Sequence, residues 1–172
     1  MVTAKHLREM LHYDPDTGLF MWKFRSDGRP QRNGIWAGKI AGSIKPDGRV
    51  SIAIGGRPTK LYKAHRLAWL YMTGEWPKDQ IDHIDGNPTN NRFVNLREAT
   101  CSQNMCNRKA QINGSSGVKG LSWHKAARKW HARATAHGVT HNLGLFVDKD
   151  DAVRALKEAR CRLHGEFADN EE

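Results

Sequence analysis

An aspartate followed by a histidine, Asp82-His83, opens a polar run that continues through Gly86 and four asparagines to Asn95. Nine residues further on stands Asn104. Phosphodiester hydrolysis needs a base for water, a cation on the phosphate and help for the departing 3′-oxygen. His83 has the intrinsic pKa for the base. Asp82 and the amide oxygen of Asn104 are hard oxygen donors of the kind that suit Mg2+ or Mn2+. Asn95 can hold the His83 ring by a bond to the backbone or to the imidazole. The alternative is a plain turn, because Gly and Asx residues are what any tight loop uses.

Residues 81–104 read as two short strands and the start of a helix. Asp82 and His83 lie on the first strand, Asn95 opens the second and Asn104 lies one turn into the helix. Side chains alternate along a strand, so Asp82 and His83 point to opposite faces. Either the strand bends there, or the metal lies beside the strand rather than above it.

The flanking elements follow from pattern. Thr3 caps a short helix carrying Leu7, Met10 and Leu11. Tyr13 to Gly18 is a turn, and Leu19 to Trp22 a strand. Residues 25–48 are rich in Gly, Arg, Lys and Pro, with a weak strand near Ile35-Trp36 and Lys39-Ile40. This basic stretch lies along a DNA backbone or is a solvated connection, and sequence does not separate the two. Arg49 to Ile54 alternates with period 2, Gly55 to Pro58 turns, and Thr59 to Lys63 returns as the partner strand. Ala64 to Thr73 is helical and Gly74 stops it. A Gly-Ser-Ser linker occupies residues 109–116. Three strands (117–123, 129–136, 140–146) and a helix from Lys149 to His164 complete the chain. Asp148 caps that helix, and Ala152, Leu156, Ala159 and Leu163 share one of its faces. Trp123, Trp130, Phe146 and Phe167 are expected to fill the small core behind it, Trp123 and Trp130 by packing.

Lys and Arg outnumber Asp and Glu by 28 to 18, a net charge of +10 that favours a polyanionic partner. No apolar run approaches the roughly 20 residues of a membrane span, and MVTAKHLREML lacks the apolar core of a signal peptide. The three cysteines, Cys101, Cys106 and Cys161, form no C-x-x-C pair, so neither a structural zinc site nor a disulfide framework is expected. The expected compartment is reducing cytoplasm. The clustered aromatics that splay RNA bases are missing, which favours double-stranded DNA.

The central stretch resembles the HNH endonuclease motif in its phage-type homing branch. Asp82 to Asn87 is similar to the signature, Asn90-Asn91-Arg92 to the turn, Asn95-Leu96-Arg97 to the middle element and Ser102-Gln103-Asn104 to the helical element. Ala64 to Trp69 resembles the segment upstream. The resemblance implies a ββα-metal unit with one divalent cation, His83 as general base and Asp82 and Asn104 as metal ligands. It gives Asn95 the task of bracing the loop and orienting the base. The products it implies carry 5′-phosphate and 3′-hydroxyl ends. Arg66 either contacts a phosphate or pairs with an acidic residue, and His65 is read as a packed or capping residue.

Gly117 to Lys119, Lys129 to Arg133, Leu143 to Phe146 and the closing His164 to Ala168 resemble an Apetala-two/ERF DNA-binding domain. Its sheet would lie in the major groove. Carried onto matching strand positions, the DNA contacts are Lys119, Arg133, Thr135 and Asn142, then Ser122 and Arg128. The whole is expected to be an α+β protein: a basic region (1–48), a nuclease unit (49–108), the linker and a sheet-plus-helix domain (117–168). The expected function is a monomeric, site-recognising DNA endonuclease of a phage or mobile element, working in the bacterial host cell. The competing function is a DNA-binding regulator whose nuclease site is silent.

Overall fold

The computed structural model describes residues 1–24, 34–55, 58–106, 116–136 and 138–168. Most of the expected linker, part of the basic N-terminal region and the Gly56-Arg57 turn lie outside these residues. The described chain is a mixture of small sheets and helices in two compact units, Met1–Glu98 and Ala99–Glu172. The division falls at the end of the strand Leu96–Ala99, upstream of the expected linker.

The first unit begins with helix α1 (Ala4–Met10). The Thr3 side chain accepts the His6 amide and so caps it. Leu7 and Met10 are its buried stripe. Strands β1 (Leu11–Asp14) and β2 (Leu19–Trp22) form an antiparallel hairpin. The turn at Asp14 to Gly18 was legible, but strand β1 was not expected. It is too short for a period, yet Tyr13 is only 2% exposed and stacks on Phe20. A second departure concerns Ile35-Trp36. Residues 34–36 are helical, and of the expected weak strand only the Met21–Ile40 bridge forms.

Strands β3 (Ser43–Ile44), β4 (Val50–Ile54) and β5 (Lys60–Lys63) form an antiparallel sheet in the order β3-β4-β5. Helix α2 (Ala64–Thr73) follows β5 directly and buries Leu67, Ala68 and Leu70. Gly74 ends it at φ 85°, the left-handed conformation glycine adopts without steric cost. The core joins α1, the hairpin, β4 and α2 to Ile81 and Leu96. Those last two residues lie on β6 (Gln80–His83) and β7 (Leu96–Ala99), which form a two-stranded sheet. The sequence between them is thus fastened at both ends to a packed scaffold.

The second unit holds helix α3 (Cys101–Cys106), strands β8 (Leu121–His124), β9 (Lys129–Ala136) and β10 (Val139–Phe146), and helix α4 (Lys149–His164). The strands form one antiparallel sheet in the order β10-β9-β8. Asp148 accepts the Asp150 amide and caps α4. Asp150 and Asp151 in its first turn and Arg162 in its last oppose the helix dipole. The expected aromatic core is corrected in part. The buried cluster is Leu121, Ala132, Ala134, Ala152, Leu156 and Ala159, with Trp130 and Phe146 partly buried against it, and Phe167 is buried at 7% exposure. Small alanines on β9 face α4 and let helix and sheet approach closely. Trp123 is 44% exposed and meets Trp130 edge-on, so it is not a core residue.

Candidate active site

β6 ends at His83, and a turn begins at once. Asp82 and His83 are both buried, at 4% and 7% exposure. Their side chains go to different partners, as strand alternation requires. The Asp82 carboxylate turns to the neighbouring strand β7, where its Oδ2 accepts from Arg97 Nε at 3.0 Å and pairs with Nη2 at 2.9 Å. The His83 ring turns to the loop and to α2. Its Nε2 lies 3.2 Å from Asn91 Oδ1, and its ring centroid is 5.1 Å from that of His65, the two planes at 80°.

The Asn91 amide decides the tautomer. Its Nδ2 donates to the Thr89 carbonyl at 3.2 Å, so the atom facing His83 is the carbonyl oxygen. That oxygen accepts only, so Nε2 carries the proton and donates. Nδ1 is then the unprotonated, basic nitrogen. Burial pushes the His83 pKa below the ordinary imidazole value, and Arg49 adds to that. The Asn91 bond and the charges of Asp85 and Asp82 work in the other direction. His83 is therefore a neutral base at pH 7 whose conjugate acid has acceptors beside it.

Asn91 was read only as part of an Asn-rich turn, and the structure shows what holds it. Tyr13 Oη donates to the Asn91 carbonyl at 2.6 Å, a buried bond from the N-terminal hairpin. Burial pushes the Tyr13 phenol up, so it remains a donor. The Phe93 amide donates to the Pro15 carbonyl at 3.1 Å. Gly18, at φ 74°, comes so close that a Cβ there would lie 2.4 Å from the Asn91 carbonyl carbon. The hairpin is a buttress for the loop that orients His83.

Asn95 is the last residue of a 3-10 turn (Phe93–Asn95) and not the first of β7. Its side chain bonds to the loop. Oδ1 accepts the Asp85 amide at 3.0 Å, while Nδ2 donates to Asp85 Oδ1 at 2.9 Å and to the Asn90 carbonyl at 2.8 Å. Its own carbonyl accepts the Ile84 amide at 2.9 Å. Of the two expected ways to hold the ring, Asn95 bonds to the backbone that follows His83 and ties the two ends of the loop together, and Asn91 contacts the ring. Asp85 also takes the Asn90 side chain at 2.6 Å and the Asn87 amide at 2.8 Å. Burial pushes the Asp85 carboxyl up, but these bonds and the one from Asn95 outweigh it and hold its pKa below the usual range.

His65 is 6% exposed, and its Nδ1 has no hydrogen-bond partner among the described residues. Burial, then the charges around it, holds its pKa down to about 3. A buried nitrogen without a partner costs about 1–3 kcal/mol, so this is an unfavourable residue kept in place. Arg66 donates to the Asp79 carbonyl at 2.8 Å and lies over the Trp76 ring, 6.0 Å from its centroid. It pairs with a backbone oxygen of an acidic residue rather than with its carboxylate.

The resemblance of the central stretch implies a divalent cation. Asp82 suits one in kind as a buried, hard oxygen donor, with its Oδ2 engaged by Arg97. Among the described residues no group of three or more His, Cys, Asp or Glu side chains comes together, so a cation here would lean on Asp82, amide oxygens, phosphate and water. Asn104 lies in α3, in the second unit, with its side chain partly buried.

The residues expected to meet DNA divide into two groups. On β9, Ala132, Ala134 and Ala136 point inward, and Arg133 and Thr135 point out. Asn142 is opposite Arg133, and Thr140 is opposite Thr135 with the hydroxyls 3.1 Å apart. Ser122, opposite His131, joins the same face, and His131 Nε2 lies 3.0 Å from Asn142 Oδ1. Lys119 is corrected in its placement: the strand starts at Leu121, not Gly117. Lys119 precedes β8 in a turn and donates to the Met105 carbonyl at 2.8 Å. Arg128 sits in the β8–β9 turn with φ at 51°.

Comparison with known proteins bears directly on this geometry. A family model described as HNH endonuclease matches residues 62–106, from the end of β5 through α3. Protein 3.8 of Escherichia phage T7 is 41% identical over 115 residues, which make up 63% of this chain and 93% of that protein. An uncharacterized HNH endonuclease of Acanthamoeba polyphaga mimivirus is 33% identical over 106 residues, 60% of this chain and 54% of that one. The solved structure titled for DNA binding and cleavage by the HNH homing endonuclease I-HmuI aligns with 95% of this chain and 90% of its own, at 22% identity and a TM-score of 0.46. The chain belongs to the HNH endonuclease family, with Protein 3.8 as a relative matched over nearly its whole length. It is an endonuclease, a hydrolase of phosphodiester bonds.

Proposed function

We propose that this protein is a site-recognising, homing-type DNA endonuclease in which His83 is the general base. The observation that carries the reading is the Asn91 bond to Nε2, which leaves Nδ1 as the basic nitrogen one residue from a buried carboxylate. Asp82 and Asn104 would hold one divalent cation, Mg2+ or Mn2+, which would neutralise charge on the scissile phosphate. His83 Nδ1 takes the proton of the attacking water. As the imidazole becomes cationic, Asn91 Oδ1 accepts from Nε2 and Asp85 offers a nearby negative charge. Asn95 keeps the loop closed, and Arg97 holds the Asp82 carboxylate in one orientation.

Recognition falls to the second unit, whose resemblance to an Apetala-two/ERF domain assigns the outward face of β8-β9-β10 to the major groove of duplex DNA. Arg133, Thr135, Asn142 and Ser122 would make the base and phosphate contacts. Lys119, Arg128 and Arg66 are left to phosphate contacts at the margins. The protein acts as a monomer in the bacterial cell that a phage infects. One active site per monomer yields nicks, or a double-strand break by two successive nicks.

Supercoiled plasmid incubated with the protein in Mg2+, Mn2+ or EDTA tests this. Nicked circles should appear with either ion and not with EDTA. A second reading, a DNA-binding regulator with a silent site, draws on the Arg97–Asp82 pair, since a carboxylate already neutralised needs no cation. Retarded plasmid mobility without nicking in any ion would establish that reading instead.

A further inference from the structure

We propose that His65 is a positioning residue that fixes the plane of the His83 ring. This rests on the assignment of His83 as the base. Two independent observations carry it. His65, in the first turn of α2, stands edge-on to His83 at 5.1 Å and 80°, so His83 is held between Asn91 at its Nε2 and a second ring against its side. His65 is also 94% buried, with no partner for its Nδ1 among the described residues. A side chain kept for packing alone would be more stable as leucine or phenylalanine, which bury no polar atom. Chains retain locally unfavourable residues where function requires them. Here the unfavourable residue touches the base.

The surrounding frame makes the contact stiff. β4 pairs with β5 in the register Ser51–Lys63, and α2 starts at the next residue, so His65 has little freedom to move away. Its neighbours Leu67 and Ala68 are fully buried. A ring fixed in this way restricts rotation of the His83 side chain about the Asn91 bond. Without it, the ring can keep that bond while its plane turns and Nδ1 loses its direction.

The test compares His65→Leu, which removes the ring, with His65→Phe, which keeps a ring and removes the nitrogens. kcat and KM for plasmid nicking are measured beside Tm, with His83→Ala as the control. The expected order of kcat is wild type, then Phe, then Leu, with Leu at least tenfold below wild type, KM within twofold and Tm no lower in either variant. Activity that falls while stability holds or rises marks a residue kept for function. Leu nicking at the wild-type kcat, Phe as slow as Leu, or kcat falling in step with Tm would each overturn the assignment. If His83→Ala itself nicks DNA, the base assignment fails. If His83→Ala is inactive while His65→Leu is fully active, only the role of His65 fails.

Discussion

Asn91 offers the sharpest perturbation, because one amide sets both the tautomer and the pKa of His83. Replacing it with alanine removes the acceptor at Nε2, whereas its backbone carbonyl still takes the Tyr13 hydroxyl. The loss is largest when the imidazole becomes cationic, since a hydrogen bond to a charged group contributes about 1.5–3 kcal/mol. That corresponds to a fall in kcat of about 10- to 150-fold. The pH dependence carries an independent sign. The Asn91 bond raises the His83 pKa against burial, so its removal lowers that pKa further and moves the acid limb of activity to lower pH. Asn91→Asp does the reverse: a carboxylate facing Nε2 favours the imidazolium, so the limb moves to higher pH. Initial rates of nicking at saturating plasmid, between about pH 5 and 9, give both quantities. An alanine variant with the wild-type rate, or acid limbs in any order other than alanine, wild type, aspartate, would refute the reasoning.

Three further expectations follow from the geometry. Gly18→Ala puts a Cβ 2.4 Å from the Asn91 backbone at a positive φ, so it should lower stability by more than about 1 kcal/mol and slow nicking, and an unchanged Tm contradicts the buttress. Stability should also depend on pH through His65, whose folded pKa of about 3 lies below the unfolded value near 6.5. The unfolded chain then binds the extra proton, so this contribution is complete above about pH 6.5 and declines by roughly 2–3 kcal/mol by pH 4.5. Urea titrations of wild type and His65→Phe should show that difference only in the wild type. Arg133→Ala on the outward face of β9 should weaken duplex binding and reduce the salt slope by about 1, and equal Kd values across salt concentrations would count against that face.

The sequence made the chemistry more legible than the support. Asp82, His83 and Asn95 stand out because carboxylate, imidazole and amide fall at spacings that a strand-turn-strand can use. Asn91 could not be separated from Asn87 or Asn90, since any of them satisfies a turn. Only the fold shows that Tyr13 and Gly18, more than 70 residues earlier, press on its backbone. The same hairpin hid strand β1, whose four residues carry no measurable period but bury Leu11 and Tyr13. Helices α2 and α4 were readable from their stripes and caps, which are local signals. Trp123 misled because size suggests a core, whereas β9 meets α4 through alanines with Trp130 partly buried against them. His65 was read correctly as packed, but its contact with His83 joins two elements that sequence does not connect.

Removal of the base is the most direct test of the account. His83→Ala should bind duplex DNA with the wild-type affinity and leave supercoiled plasmid intact in Mg2+ and in Mn2+, where the wild type nicks it. Nicking by the variant at the wild-type rate would contradict the assignment of His83 and the mechanism built on it.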